Sequence, residues 1–274
     1  MSVTWNDFRR TRRRSRQAWA LLATALLAVA GGLGWFFTVG QFALAAPQTN
    51  GPREAPVFAA GWMRPVNPVR AVPPGSAADA LESLPVKGRA AGSNYNRTAF
   101  GQAWLDVDRN GCDTRNDILR RDLANARFTE GSRCRIGAGT FQEPYTGQTI
   151  AFQRGAGSSK AVQIDHVVAL GDAWQKGAQQ LTAVQRQHLA NDPLNLIAVD
   201  GQANQDKSAS DAATWLPPNK AFRCHYVARQ ISVKAAYGLW VTPAEKDAMK
   251  RVLGGCPGQR TIVPLTGSAE PGAR

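Results

Sequence analysis

Asp165 and His166 stand side by side at the end of the apolar run VQIDH. Asn195 follows 29 positions after His166, Asn204 nine after Asn195, and Lys207 three after Asn204. A carboxylate and an amide oxygen are hard donors suited to Mg2+, Mn2+ or Ca2+. An imidazole beside them can take a proton from water. Its opposite nitrogen needs a holder to fix the tautomer, and Asn195, or a backbone carbonyl near it, is placed to be one. These types at this spacing point to hydrolysis by an activated water at a bound cation.

Such a set works only if the chain draws it together. Neighbours in an extended strand face opposite ways, so Asp165 and His166 share a substrate only where the strand ends or bends. The sequence predicts strands over 162–165 and 195–199, a turn at Gly201-Gln202, and a helix from Ala203 to about Ala209. Further helices are expected over 118–125, 172–180, 182–190 and 224–237, and short strands over 132–136 and 149–152. Residues 137–139 and the PYTG segment 144–147 read as turns. Thr242-Pro243-Ala244-Glu245 starts a last helix: a Thr cap, Pro at the first position and Glu at the third.

The chain has 274 residues and a net charge of +13. Its 43% hydrophobic content excludes both a many-pass membrane protein and a wholly disordered chain. Residues 1–46 hold six arginines against Asp7, net +5, and the remainder is cationic too. That favours a polyanionic partner. Residues 18–37 are uncharged and apolar behind the arginine cluster, which predicts export. Two readings stay open: an uncleaved single-pass anchor held in the membrane, or a signal peptide cut after Ala45. The expected order is a basic region 1–17, a signal or anchor helix 18–40, a Pro-rich linker 41–89, a folded domain 90–257 and a flexible tail 258–274.

Four cysteines lie at 112, 134, 224 and 256, with no C-x-x-C pair. In an exported chain they read as two disulfides. Of three pairings, Cys112–Cys134 and Cys224–Cys256 close the shortest loops at the smallest entropic cost.

The segments VQIDHVVAL (162–170), ANDPLNLIAV (190–199) and ANQDKS (203–208) resemble HNH nucleases of the ββα-metal fold. More narrowly, they are similar to secreted actinobacterial proteins with the DUF1524 domain. GCDTRNDILRR (111–121), PYTGQTIAF (144–152), WLPP (215–218) and VKAAYGLWVTPAE (233–245) extend the likeness over roughly 90–256. The resemblance implies an α+β domain with a ββα-metal core, additional helices and disulfides. It implies His166 as general base, Asp165 and Asn204 as ligands of one divalent cation, Asn195 as a brace, and Lys207, with Arg115, at the substrate phosphate. Mg2+ is the expected ion, with Mn2+ and Ca2+ as alternatives. The expected partner is nucleic acid, DNA before RNA, read with little sequence preference. Arg154, Lys160, Lys220, Arg223 and Arg229 are candidates for flanking phosphates, and no protein partner is read. The rival readings are an exported basic binding module and a hydrolase of another phosphate-containing polymer.

Overall fold

A computed structural model describes residues 70–155 and 160–263. The basic region and the expected signal or anchor helix lie outside the described residues, as does most of the tail. Among the described residues no helix is long and apolar enough to cross a membrane.

The fold is mixed α+β. Helix α1 (Ala77–Ser83) and a 3-10 turn (Arg97–Phe100) precede α2 (Thr114–Asp122). Strands β1 (Leu123–Phe128), β2 (Ile136–Gln142) and β3 (Thr149–Gln153) form an antiparallel meander in that order. Strand β4 (Val162–His166) pairs antiparallel with β5 (Leu196–Asp200). Between them lie α3 (Leu170–Gln175) and α4 (Ala183–Asn191). Helix α5 (Gly201–Lys207) follows β5 directly, and α6 (Arg223–Tyr237) and α7 (Pro243–Gly254) complete the domain. Residues 77–83, expected in the approach to the domain, belong to its core: Ala77 and Leu81 pack with α6 and α7 residues such as Ile231 and Met249.

The β4–β5 ribbon is covered on both faces, which fixes its register because a one-residue slip would invert every side chain. Val162, Ile164, Leu196 and Ala198 pack with Ile118, Leu119 and Phe141 of α2 and the meander. Ile197 and Val199, on the other face, join Tyr226, Val227 and Ile231 of α6. Gly201 lets α5 start at once: a β-carbon there would meet the Lys160 carbonyl at 2.1 Å. Asp200 caps the helix by accepting from the Ala203 amide at 2.8 Å. The Thr242 and Glu245 capping box forms at α7 as the sequence predicts.

Four expected elements shift, and of the strand expected over 132–136 only Ile136 is strand, the first residue of β2. The helix expected to reach residue 125 ends at Asp122, and β1 begins at Leu123. Pairing of Leu123 with Phe141 overrides helical propensity there. Residues 137–139 are strand, not turn. Their glycines admit close neighbours, since a β-carbon on Gly139 would sit 2.9 Å from the Leu123 side chain. The helix expected over 172–180 breaks at Gly177, whose φ is +121°.

Cys112 pairs with Cys134 and Cys224 with Cys256, with Cα separations of 5.2 and 6.4 Å. The second bridge ties the start of α6 to the end of α7. Loops of 22 and 32 residues predict about 3–4 kcal/mol from each bridge. Replacing Cys224 and Cys256 by Ala should lower the urea midpoint and raise the m-value, because the released unfolded chain exposes more surface, as equilibrium unfolding would show.

Candidate active site

His166 ends β4 and is only 7% exposed. Its Nε2 lies 2.9 Å from the Ala190 carbonyl oxygen at the end of α4. A carbonyl can only accept, so Nε2 carries the hydrogen and Nδ1 keeps a lone pair. The ring borders a cleft of about 40 Å³ lined by Arg97, Phe100, Gly101, Gln102, Trp104 and Leu170. Burial pushes the imidazole pKa down to about 3, the Ala190 bond pulls it up, and Arg97 and Lys207 add to the lowering. The free protein thus holds a neutral imidazole with one committed nitrogen.

Asn195 is fully buried and braces the segment that follows His166. Its Oδ1 accepts from the Val168 amide at 2.9 Å, and its Nδ2 donates to the Val168 and Leu189 carbonyls at 3.3 and 3.2 Å. Its own carbonyl accepts from Val167 at 2.7 Å. The chain therefore leaves the strand at Val167 with the amides and carbonyls of Val167 and Val168 all paired.

Asp165 points to the opposite face of β4, toward α5. Its carboxylate accepts from the Tyr145 hydroxyl at 2.6 Å and pairs with the Lys207 ammonium at 3.0 Å. Lys207 is wholly buried and also donates to the His166 carbonyl at 2.9 Å. Asn204, one turn before Lys207, donates from Nδ2 to Gln163 Oε1 at 2.8 Å. Residues three apart on a helix thus meet residues two apart on a strand, Asn204 over Gln163 and Lys207 over Asp165.

This placement corrects two expectations. Lys207 does not face an open phosphate site, because its ammonium is sealed against Asp165. Asp165, His166 and Asn204 do not border one gap, because His166 projects from the other face of the strand. The oxygen chemistry of Asp165 and Asn204 suits a hard cation. As arranged, however, both Asp165 oxygens are engaged by Lys207 and Tyr145, and Asn204 is turned to Gln163, so the set does not fit one. Among the described residues no three His, Cys, Asp or Glu side chains are grouped to hold a metal ion.

Arg115 donates to the Val162 carbonyl at 3.4 Å and lies over the Trp104 ring at 5.9 Å. Trp104 lines the His166 cleft, whereas Arg115 sits over the Trp104 ring and does not itself line the cleft. Arg229 is not a surface phosphate contact: it is 3% exposed and donates to the carbonyls of Leu194, Pro193 and Leu196. The holder of the imidazole is the backbone carbonyl of Ala190 and not the Asn195 side chain, the second of the two alternatives the sequence offers; sequence reasoning missed Arg97 and Tyr145. Nothing in a PYTG turn signals that its tyrosine is fully buried against a carboxylate.

Residues 113–252, half of the chain, match the family described as GmrSD restriction endonucleases, C-terminal domain. An "Uncharacterized secreted protein" of Arthroderma benhamiae is 38% identical over 188 residues, which cover 68% of this chain and 87% of that protein. No solved structure matches. The matched segment contains His166, its Asn195 brace and the Asp165–Lys207 pair, while the cleft residues Arg97 to Trp104 precede it, and the chain belongs to the family of the C-terminal domain of GmrSD restriction endonucleases.

Proposed function

We propose that this domain hydrolyses phosphodiester bonds of nucleic acid, DNA before RNA, with His166 as general base. The observation that carries the reading is the Nε2 bond to Ala190, which leaves Nδ1 as the ring's proton acceptor. Membership in a nuclease-domain family supports the reaction class.

In the proposed reaction Nδ1 takes a proton from water in the cleft. The hydroxide attacks phosphorus in line with the leaving oxygen, negative charge grows on the phosphoryl oxygens, and as the P–O bond to the leaving group breaks, that oxygen takes a proton from solvent. Arg97 at the cleft, and Arg115 behind Trp104, supply positive charge to them. Asn195 acts on the backbone alone, by fixing the bend that aims the ring. The resemblance implies a divalent cation, Mg2+ first, held by Asp165 and Asn204. No step is assigned to it in the present arrangement, where Lys207 already neutralises Asp165. Contacts to phosphate carry no base information, so cleavage with little sequence preference and steep salt dependence is expected.

The cleft also sets a pH dependence. Burial disfavours imidazolium in the free protein, so the base form persists far below the ordinary histidine pKa, down to about 3. A bound phosphodiester anion favours imidazolium and pulls the value back up. The acid limb of kcat/KM for plasmid nicking should therefore fall well below pH 6.5, and that of kcat should lie at higher pH. Coincident limbs near 6.5 would contradict a buried base. The assay, run with the full chain in Mg2+, Mn2+, Ca2+ or EDTA, also tests the cation.

A location outside the cell, secreted or at its surface, is part of the proposal. The secreted fungal relative and the two disulfides support it.

A further inference from the structure

Arg135 and Arg154 line one open pocket of about 510 Å³ at an end of the β1–β2–β3 meander, together with Thr129, Gly137 and Gln153. Arg154 is held in place from two sides. Its Nε donates to the Ile136 carbonyl at 2.6 Å and its Nη2 to Asn116 Oδ1 at 2.9 Å. Asn116 is buried on α2 and also accepts from the Ile136 amide at 3.0 Å, so the anchor belongs to the core. Among the described residues Nη1 of this fixed guanidinium has no partner. Arg135 is exposed, and its side chain makes no hydrogen bond among the described residues.

Two cations therefore share a pocket that no described carboxylate neutralises by direct pairing. Asp113 acts on Arg154 without pairing with it, since its oxygens accept from the Asn116 amide and Nδ2 at 2.9 and 2.7 Å. Burial, then the Arg135 charge, holds the Arg154 pKa below the ordinary arginine value, against the pull of Asp113. A tetrahedral oxyanion seated between two guanidinium groups accepts from both forks and relieves their repulsion. The positive series does not stop there. The Arg154 charge also reaches Arg115, which sits over the Trp104 ring at 5.9 Å. Trp104 and Arg97 in turn line the His166 cleft.

We propose that the Arg135–Arg154 pocket seats a backbone phosphate of nucleic acid away from the scissile one, and that Arg115 continues the track from there toward the His166 cleft. That the anion belongs to nucleic acid rests on the proposed function; the pairing of two cations in one pocket does not. Arg154 serves as the fixed half of the clamp and Arg135 as the adaptable half. Contacts of this kind read no bases, so the pocket adds affinity and salt dependence for every sequence alike. A free phosphate ion offers the same oxygens, and the two sources separate by experiment.

Binding of a short fluorescent DNA duplex to the full chain is followed by anisotropy in EDTA as salt is raised. Arg135→Gln should weaken binding at least ~5-fold at ~0.15 M salt and lower the slope of log K against log salt by about 1, with unchanged circular dichroism. Arg251→Gln removes the same charge from an exposed position on α7, outside the pocket, and should leave the slope as it is. Equal effects of the two variants, parental binding by Arg135→Gln, or a parent that binds no duplex would each overturn the proposal. Inorganic phosphate that raises the parent's Tm above chloride at equal ionic strength, with duplex binding intact in Arg135→Gln, would overturn it in favour of a free ion. Nicking in Mg2+, measured in parallel, keeps the two readings apart. A parent that binds through Arg135 and never nicks removes the hydrolytic reading and leaves the pocket; nicking and binding untouched in Arg135→Gln do the reverse.

Discussion

Lys207→Met should destabilise the domain by about 3–5 kcal/mol, the cost of leaving a buried carboxylate without its cation. Lys207 is wholly buried, and its ammonium touches Asp165 and the His166 carbonyl. Methionine keeps the volume and removes the charge, so the loss isolates electrostatics from packing. In a domain of this size that is a fall in Tm of roughly 10 °C. The double variant Asp165→Asn/Lys207→Met should recover part of it, because Asn is neutral and still accepts from the Tyr145 hydroxyl, now 2.6 Å from Asp165. Additive losses in that cycle would show that the two groups do not interact. The result matters for the cation as well. If Lys207 holds Asp165 as tightly as its burial implies, any ion taken up by Asp165 must first displace a buried ammonium.

The two strands of the ribbon were legible from VQIDH and NLIAV because both are short, apolar and bounded by turns. So were the start of α7, through its cap and proline, and both disulfides, through loop length. A nuclease-domain family followed from the same blocks, and the family matched is that of the GmrSD C-terminal domain. The facing of the site was not legible. Asp165 and His166 are adjacent in sequence, and only the cover on each face of β4 decides which one meets α5. Lys207 reads as a lysine facing the substrate phosphate, since nothing local to it announces the buried Asp165 and Tyr145 above it. The rotation of α5 about its axis sets whether Asn204 meets Asp165 or Gln163, and the close pass of the α5 start at Gly201 by the Lys160 carbonyl is a tertiary fact that no local pattern announces. Residues 123–125 read as helix for a related reason: their pairing partner β2 lies beyond a loop, out of reach of local propensity.

His166→Ala should reduce phosphodiester cleavage by about 10²–10⁴-fold, the contribution of a positioned general base. The loss should come without loss of the fold, because the one hydrogen bond of the ring that is described goes to a helix-terminal carbonyl. Asn195→Ala, by contrast, removes the contacts that hold Val168 and Leu189 and should cost stability together with rate. The decisive measurement is single-turnover nicking of supercoiled plasmid by the purified full chain and by His166→Ala, each in Mg2+ and with its folded state verified by circular dichroism. Cleavage by the parent and a loss of at least ~100-fold in the variant is the expected result. Equal cleavage by both would remove His166 from the chemistry, and DNA binding without cleavage by either across Mg2+, Mn2+ and Ca2+ would make the domain a binding module.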